Sequence, residues 1–142
     1  MDSLQEKVKI IPRQLIEDDR GWFLKVITGK EENIPNYTGE IYLTMGLPGE
    51  TKGGHYHVEA LEWFTLIAGK ATLRVEDINT HEHMEIPMSL NDPKTVFVPN
   101  YIAHDFINAG NANFIVLAYT NKLYNSSDTK SYQLKNKPKQ YL

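Results

Sequence analysis

Residues 49–69 read Gly49-Glu-Thr-Lys-Gly-Gly-His55-Tyr-His57-Val-Glu-Ala-Leu-Glu62-Trp-Phe-Thr-Leu-Ile-Ala-Gly69. His55 and His57 are separated by one residue, so in a β-strand both imidazoles project from the same face. Glu62 comes five residues after His57, at the head of the apolar run Trp63 to Ala68. A turn before that run would bring its carboxylate back toward the two rings. Two neutral imidazoles and a carboxylate form a partial ligand set for a divalent transition metal. A fourth donor lies downstream at His104, within Pro99-Asn-Tyr-Ile-Ala-His104-Asp-Phe-Ile-Asn108 and just after the strand-like run Thr95 to Val98. Three histidines and one glutamate leave one or two coordination positions open, which suits catalysis or ligand capture. Zn, Fe, Mn and Ni all accept such donors, and the spacing does not choose among them. The same atoms also allow metal-free chemistry, with His55 as a general base held by a neighbouring carboxylate.

The whole chain has 142 residues, 41% of them apolar and 23% charged, as expected for one globular domain with a real core. Its net charge of −3 argues against a general nucleic-acid binder, which needs a clustered basic surface. A negatively charged small ligand would need local cations. The absence of cysteine excludes a disulfide framework, thiolate metal sites and a thiol nucleophile. The polar start Met1-Asp-Ser-Leu-Gln-Glu-Lys7 has no apolar signal core, and no apolar run approaches the roughly 20 residues of a membrane span, so a cytoplasmic protein without membrane contact is expected.

Short β-runs follow one another along the chain: Val8 to Ile11, Trp22 to Ile27, Glu40 to Met45, the histidine strand, Trp63 to Ile67, Lys70 to Glu76, Met84 to Met88, Val96 to Pro99, Ala103 to Ile107 and Asn113 to Thr120. Gly, Pro, Asn and Asp separate them, and helical periodicity is hard to find before residue 120. Such a series predicts an all-β antiparallel sandwich or barrel. Leu15-Ile16 leads into the turn Asp18-Asp-Arg-Gly21, and residues 29–38 read as a loop. The Asn-, Ser-, Lys- and Tyr-rich tail predicts a barrel domain over 1–125 and an extended arm with a frayed end over 126–142.

Other residues invite two readings each. Lys52, three residues before His55, is either a surface lysine or a contact for a phosphate or keto oxygen at the barrel mouth. Asp19-Arg20-Gly21-Trp22-Phe23 is either a turn entering a strand, with an aromatic in the core, or a nucleotide site that sets a guanidinium on a diphosphate and an aromatic against a base. His81 and His83 form a second His-x-His in a charged stretch and read as solvated hairpin residues. Tyr42, Tyr56, Tyr101 and Tyr119 lie on or beside strands expected to face inward; each is either a core residue or a proton donor opposite a histidine base.

The pattern Gly, five residues, His-x-His, four residues, Glu, six residues, Gly is the first signature of the cupin superfamily, and Gly49, His55, His57, Glu62 and Gly69 match it at every fixed position. The second signature is Gly, five residues, Pro-x-Gly, two residues, His, three residues, Asn. Pro99, His104 and Asn108 match it, while Pro93 and Tyr101 stand where glycines are expected. The resemblance implies an antiparallel double-stranded β-helix, the jelly-roll barrel.

Within cupins the chain resembles enzymes that act on sugar nucleotides for surface polysaccharides. Asp18-Asp-Arg20-Gly21-Trp22-Phe23 is similar to the Asp-x-Arg-Gly-x-Phe turn of dTDP-4-dehydrorhamnose 3,5-epimerases. Lys52-Gly53-Gly54-His55-Tyr56-His57 resembles their Arg-Gly-x-His-x-Gln strand and the Arg-Gly-x-His-x-His of dTDP-hexulose 3,4-ketoisomerases. The segment from Gly54 through Glu62, Gly69-Lys70-Ala71, Pro99 and His104 to Tyr124-Asn125 and Asp128 is similar to the cupin domain at the C-terminus of capsular UDP-sugar reductases, which is associated with a bound metal. Lys52, His57 and Glu62 depart from the metal-free patterns.

The resemblance implies an isomerase or epimerase for a dTDP- or UDP-linked 4-keto-6-deoxyhexose, working by proton abstraction next to the ketone. His55 is the candidate base. His57, Tyr42 and Tyr119 are further catalytic candidates, and Arg20, Lys52 and Trp22 are substrate contacts. It implies no organic cofactor, a divalent metal on His55, His57, Glu62 and His104, and a homodimer in which an early strand around Val8 to Ile11 pairs with the partner. The alternatives are a metal-dependent dioxygenase or lyase and a non-catalytic sugar-binding cupin.

Overall fold

The computed structural model of the chain describes residues 2–36 and 39–134. Its elements, in order, are α1 (Leu4–Lys7), β1 (Lys9–Pro12), β2 (Leu15–Asp18), β3 (Gly21–Leu24), β4 (Glu40–Gly46), β5 (Thr51–His57), β6 (Glu62–Ala68), β7 (Lys70–Asp77), β8 (His83–Ser89), β9 (Lys94–Val98), β10 (Ile102–Ile107), β11 (Phe114–Thr120) and β12 (Thr129–Ser131). All strand pairings are antiparallel. One five-stranded sheet runs β1-β9-β6-β11-β4, a second runs β12-β5-β10-β7-β8, and β2 with β3 makes a separate hairpin.

Alternation along the strands builds the core between the two large sheets. Phe64, Leu66, Val96, Val98, Phe114 and Val116 of the first meet Leu73, Val75, Ile86, Met88, Ile102 and Phe106 of the second. The rings of Phe64 and Phe106 meet edge to face at 5.1 Å. Each such side chain contributes about 1.5–3 kcal/mol by burial. Leu4 and Val8 join this core. They are delivered by α1, a single helical turn that the strand periodicity did not predict. A capping box starts it: Ser3 Oγ accepts from the Glu6 amide, and the Glu6 carboxylate accepts from the Ser3 amide.

The outer face of the first sheet carries a second apolar layer of Trp63, Phe97 and Tyr119, with Ile27, Ile34 and Leu61 packed against it. The expected strand from Trp22 stops at Leu24. Beyond it, the Val26 carbonyl accepts from Arg13 and Thr95 side chains instead of from a strand partner. Arg13 also holds Glu31 at 2.5 Å, and Glu31 accepts from the Thr28 and Gly29 amides. Residues 126–134 of the expected arm lie against the barrel, where β12 pairs with β5. The frayed end, and residues 37–38 of the expected loop, lie outside the described residues.

Two backbone devices shape the end of the barrel that holds the histidines. Between His104 and Asp105 the β10–β5 register shifts, so that His104 faces His55 while Asp105 faces Gly53. Gly53 and Gly54 take φ of 103° and 88°, and a side chain at Gly53 would meet the His104 carbonyl at 3.0 Å. Only glycine tolerates both the conformation and the approach. Tyr101, at a position where the cupin signature has glycine, adopts φ of 62°. Its amide donates to the His57 carbonyl at 2.8 Å, which ties the turn before β10 to the end of β5.

Burial opposes ionisation of Glu31, but the Arg13 guanidinium and the Thr28 donors outweigh it and hold the carboxyl at about 2. Its folded value is therefore below its unfolded one, so its stabilisation is full above about pH 4.5 and is lost as pH falls toward 2. Glu31→Gln should lower the urea midpoint at pH 6–7, and the gap to the native protein should close between pH 4.5 and 2. Parallel curves across that range would show that the ion pair contributes nothing.

Candidate metal and substrate site

His55 and His57 enter the barrel from β5, His104 from β10 and Glu62 from the first residue of β6. One donor atom from each lies within 4.8 Å of every other. The ring centroids of His55 and His57 are 5.3 Å apart, those of His55 and His104 are 4.9 Å apart, and those of His57 and His104 are 5.9 Å apart. The bulge at Gly53-Gly54 brings the β5 rings opposite His104. Glu62 and His104 are buried, whereas His55 and His57 are half-buried at the floor of a cavity of about 350 Å³.

Glu62 is the centre of the cluster. Its Oε2 accepts from the Tyr42 hydroxyl at 2.6 Å, and its Oε1 lies 2.8 Å from His57 Nε2 and 3.5 Å from His104 Nε2. Burial would raise its pKa, but the two histidines and Tyr42 hold it down at about 2, so the carboxylate stays ionised. Burial lowers the pKa of His104 to about 4, and its Nδ1 faces the Ile102 carbonyl at 3.3 Å. That contact favours a proton on Nδ1 and leaves the Nε2 lone pair on the side of Glu62. Burial and the neighbouring His57 lower His55, so it is neutral at pH 7. Burial also works against the His57 imidazolium, but the Glu62 and Asp128 carboxylates prevail and raise its pKa. Tyr42 is pushed up by burial and by Glu62 and keeps its proton.

These residues fit a divalent cation. His57 Nε2 and Glu62 Oε1 are fully buried and close together, yet neither makes a well-formed hydrogen bond. A cation shared between them would satisfy both, and His104 offers a third donor with its tautomer already set.

Strand alternation sorts the other candidates. Tyr42 points inward and lines the cavity. Tyr119 was expected inward, but alternation turns Ala118 and Thr120 in and sends Tyr119 out to Trp63 and Phe97. Tyr56 sits beside Tyr101 and Tyr132, away from the cavity lining. Lys52, Arg20 and Trp22 are exposed and do not line the cavity. Arg20, at the tip of the β2–β3 hairpin, pairs with Asp18 at 2.9 Å in full solvent. His81 and His83 sit at the hairpin before β8 and at its first residue; both are exposed, and His81 Nδ1 lies 3.3 Å from Glu76. The rest of the cavity wall includes Glu40 of β4, Lys122, Leu123 and Tyr124 of the segment after β11, and Asp128 of the arm. No periodicity marks these residues; only the similarity to capsular reductase cupins touched Tyr124, Asn125 and Asp128.

Two facing antiparallel sheets, with three histidines and a glutamate directed into one end, make the jelly-roll barrel of a cupin. The chain belongs to the family described as Polysaccharide biosynthesis C-terminal domain, whose model matches residues 16–132. It is 28% identical over 116 residues to a UDP-2-acetamido-2,6-beta-L-arabino-hexul-4-ose reductase of Pseudomonas aeruginosa, a match that covers 81% of this chain but 29% of the reductase. The chain thus spans under a third of that relative. Among solved structures it is similar to a dTDP sugar isomerase from Desulfovibrio desulfuricans G20, with a TM-score of 0.83, 15% identity, and 92% and 86% of the two chains covered. It is also similar to the 3,5-epimerase RmlC of Legionella pneumophila in complex with dTDP-4-keto-L-rhamnose, with a TM-score of 0.79, 18% identity, and 92% and 75% covered. At these identities the structural matches establish the fold. No described helix is long and apolar enough to cross a membrane.

Protein stripped with a chelator and then given Zn²⁺ or Co²⁺ should show a raised Tm. The expected gain is about 2.7 kcal/mol at a free cation concentration 100 times Kd. Glu62→Gln or His104→Ala should remove the response. An unchanged Tm with Zn²⁺, Co²⁺, Mn²⁺, Ni²⁺ and Fe²⁺ alike would dismiss the site as a metal centre.

Proposed function

We propose that the protein is an isomerase or epimerase for a nucleotide-linked 4-keto-6-deoxyhexose, acting in surface-polysaccharide synthesis. The observation that carries this reading is His55, a neutral imidazole on the cavity floor, with Tyr42 entering from the opposite sheet. A ketone acidifies the C–H bonds beside it. His55 takes one such proton, and the C–H electron pair moves into an enolate whose negative charge sits on the former carbonyl oxygen. Return of a proton to the same carbon from the other face inverts it. Return at a different atom moves the ketone. Tyr42, which keeps its proton, is the candidate donor on the far side. The cavity, about 350 Å³, admits the sugar and leaves the nucleotide at the mouth, beside the exposed Leu123 and Tyr124.

The orphaned pair of His57 Nε2 and Glu62 Oε1 favours a second reading, a metal-dependent cupin enzyme of another type. A bound divalent cation would supply Lewis-acid stabilisation of developing oxyanion charge. His55 cannot spend one lone pair twice. As a fourth ligand it is no base, whereas a set of His57, His104 and Glu62 leaves it free.

Arg20 and Trp22 do not reach the cavity of their own chain, so a diphosphate or base contact would require the hairpin of a second copy. The edge strand β4 presents Ile41, Leu43 and Met45 to solvent at 65%, 62% and 46% exposure, and the hairpin exposes Ile16, Trp22 and Phe23. Apolar surface on this scale favours a homodimer. A monomeric mass by light scattering at micromolar concentration would remove it.

Incubation with dTDP- or UDP-4-keto-6-deoxyglucose in D₂O should place deuterium on a carbon next to the ketone, as read by NMR. His55→Asn should slow this by about 10²–10⁴-fold. No incorporation with either sugar would reject the isomerase reading, and loss of exchange on chelation would favour the metal-dependent one.

A further inference from the structure

The arm residue Asp128 contacts the end of the histidine strand and the turn that follows it. Its Oδ1 accepts from the Glu59 amide at 2.7 Å. Its Oδ2 accepts from the Ala60 amide at 3.3 Å and lies 3.4 Å from His57 Nδ1. The next residue, Thr129, opens β12 directly opposite His57 and puts its hydroxyl 3.3 Å from the same nitrogen. The Asp128 amide donates back to the Asn125 carbonyl, and its own carbonyl accepts from Val58. Asp128 is thus fixed on several sides, with its Oδ2 shared between the Ala60 amide and the ring. The opposite nitrogen of that ring, Nε2, is the buried atom without a well-formed hydrogen bond beside Glu62.

We propose that Asp128 is a positioning residue. It holds the proton of His57 on Nδ1 and so directs the Nε2 lone pair at the Glu62–His104 cluster. The arm that walls the cavity and the donor set at its floor are therefore joined through one imidazole. A carboxylate behind a histidine fixes the tautomer, orients the ring and makes the other nitrogen a better donor. The cation-affinity part of this inference rests on the cation reading of the site; the hold on His57 does not.

Asp128→Asn is the discriminating substitution. Oδ1 still caps Glu59; the NH₂ group in place of Oδ2 gives up the long Ala60 contact and faces the ring, where it demands an acceptor and moves the proton from Nδ1 to Nε2. Asn121→Ala is the control. Asn121, just after β11, is tied to Leu61 through both its backbone and its side chain and makes no hydrogen bond or ion pair to the histidines among the described residues. In metal-free protein held at a pH above the His57 titration, so that the ring is neutral, ¹⁵N ring correlations should show His57 Nδ1 protonated in the native chain and in Asn121→Ala, and unprotonated in Asp128→Asn. Co²⁺ titration, followed by its visible absorption, should give about 10–100-fold weaker binding for Asp128→Asn and nearly native binding for Asn121→Ala. Near-UV circular dichroism confirms that each variant is folded. An unprotonated Nδ1 in the native chain, or equal Co²⁺ losses in the two variants, overturns the proposal. The expected ring pattern with no Co²⁺ binding to the native chain upholds the hold on His57 and rejects the cation reading instead.

Discussion

A carboxylate taken out of water costs several kcal/mol unless charge and hydrogen bonds replace its hydration. Glu62 is 2% exposed and remains ionised. Much of the geometry at this end of the barrel answers that demand. Tyr42 crosses from β4 to donate to it, and His57 and His104 approach from β5 and β10. None of the three could be replaced by an apolar residue without leaving an uncompensated charge at the barrel's centre. The same demand makes the site useful. A buried negative charge beside imidazole nitrogens is a donor set that a divalent cation would complete.

The backbone supplies the rest. Rings on β5 and β10 can converge only where the two strands shift register, and the shift needs two consecutive glycines at positive φ. Tyr101 holds the other side of the junction in a left-handed conformation that costs about 1 kcal/mol or more for a side chain of its kind. The hydrogen bond from the Tyr101 amide to the His57 carbonyl offsets that cost. Residues of the histidine end are thus held by backbone geometry on one side and by a buried charge on the other.

The strands and the four clustered residues were legible because both leave local signals. Short β-rich runs bounded by turn residues mark Trp63 to Ala68 and Ala103 to Ile107, and His-x-His with a spaced Glu and His needs no tertiary information. What was missed leaves no such signal. Four residues of α1 are too short to show one. Leu15-Ile16 pairs only with β3, and Thr129–Ser131 gains strand structure only because the edge of β5 is free to accept it. Tyr119 shows the limit of counting tyrosines near inward strands: one step along β11 separates the cavity wall from the outer layer. Asp128 was invisible as a partner of His57, since its carboxylate arrives from a loop 71 positions further along the chain.

The donors come from strands whose pairings are all long-range. β5 joins β10 and β12, and β6 joins β9 and β11, across dozens of intervening residues. Loop closure on that scale is slow and comes late. The cluster therefore does not exist until both sheets have closed, so an ion has nothing to nucleate in the collapsing chain. In this respect the barrel is the opposite of a zinc finger, whose metal organises the polypeptide from the start. Here an ion would act as a latch, leaving the folding rate almost untouched and slowing the rate at which the finished barrel comes apart.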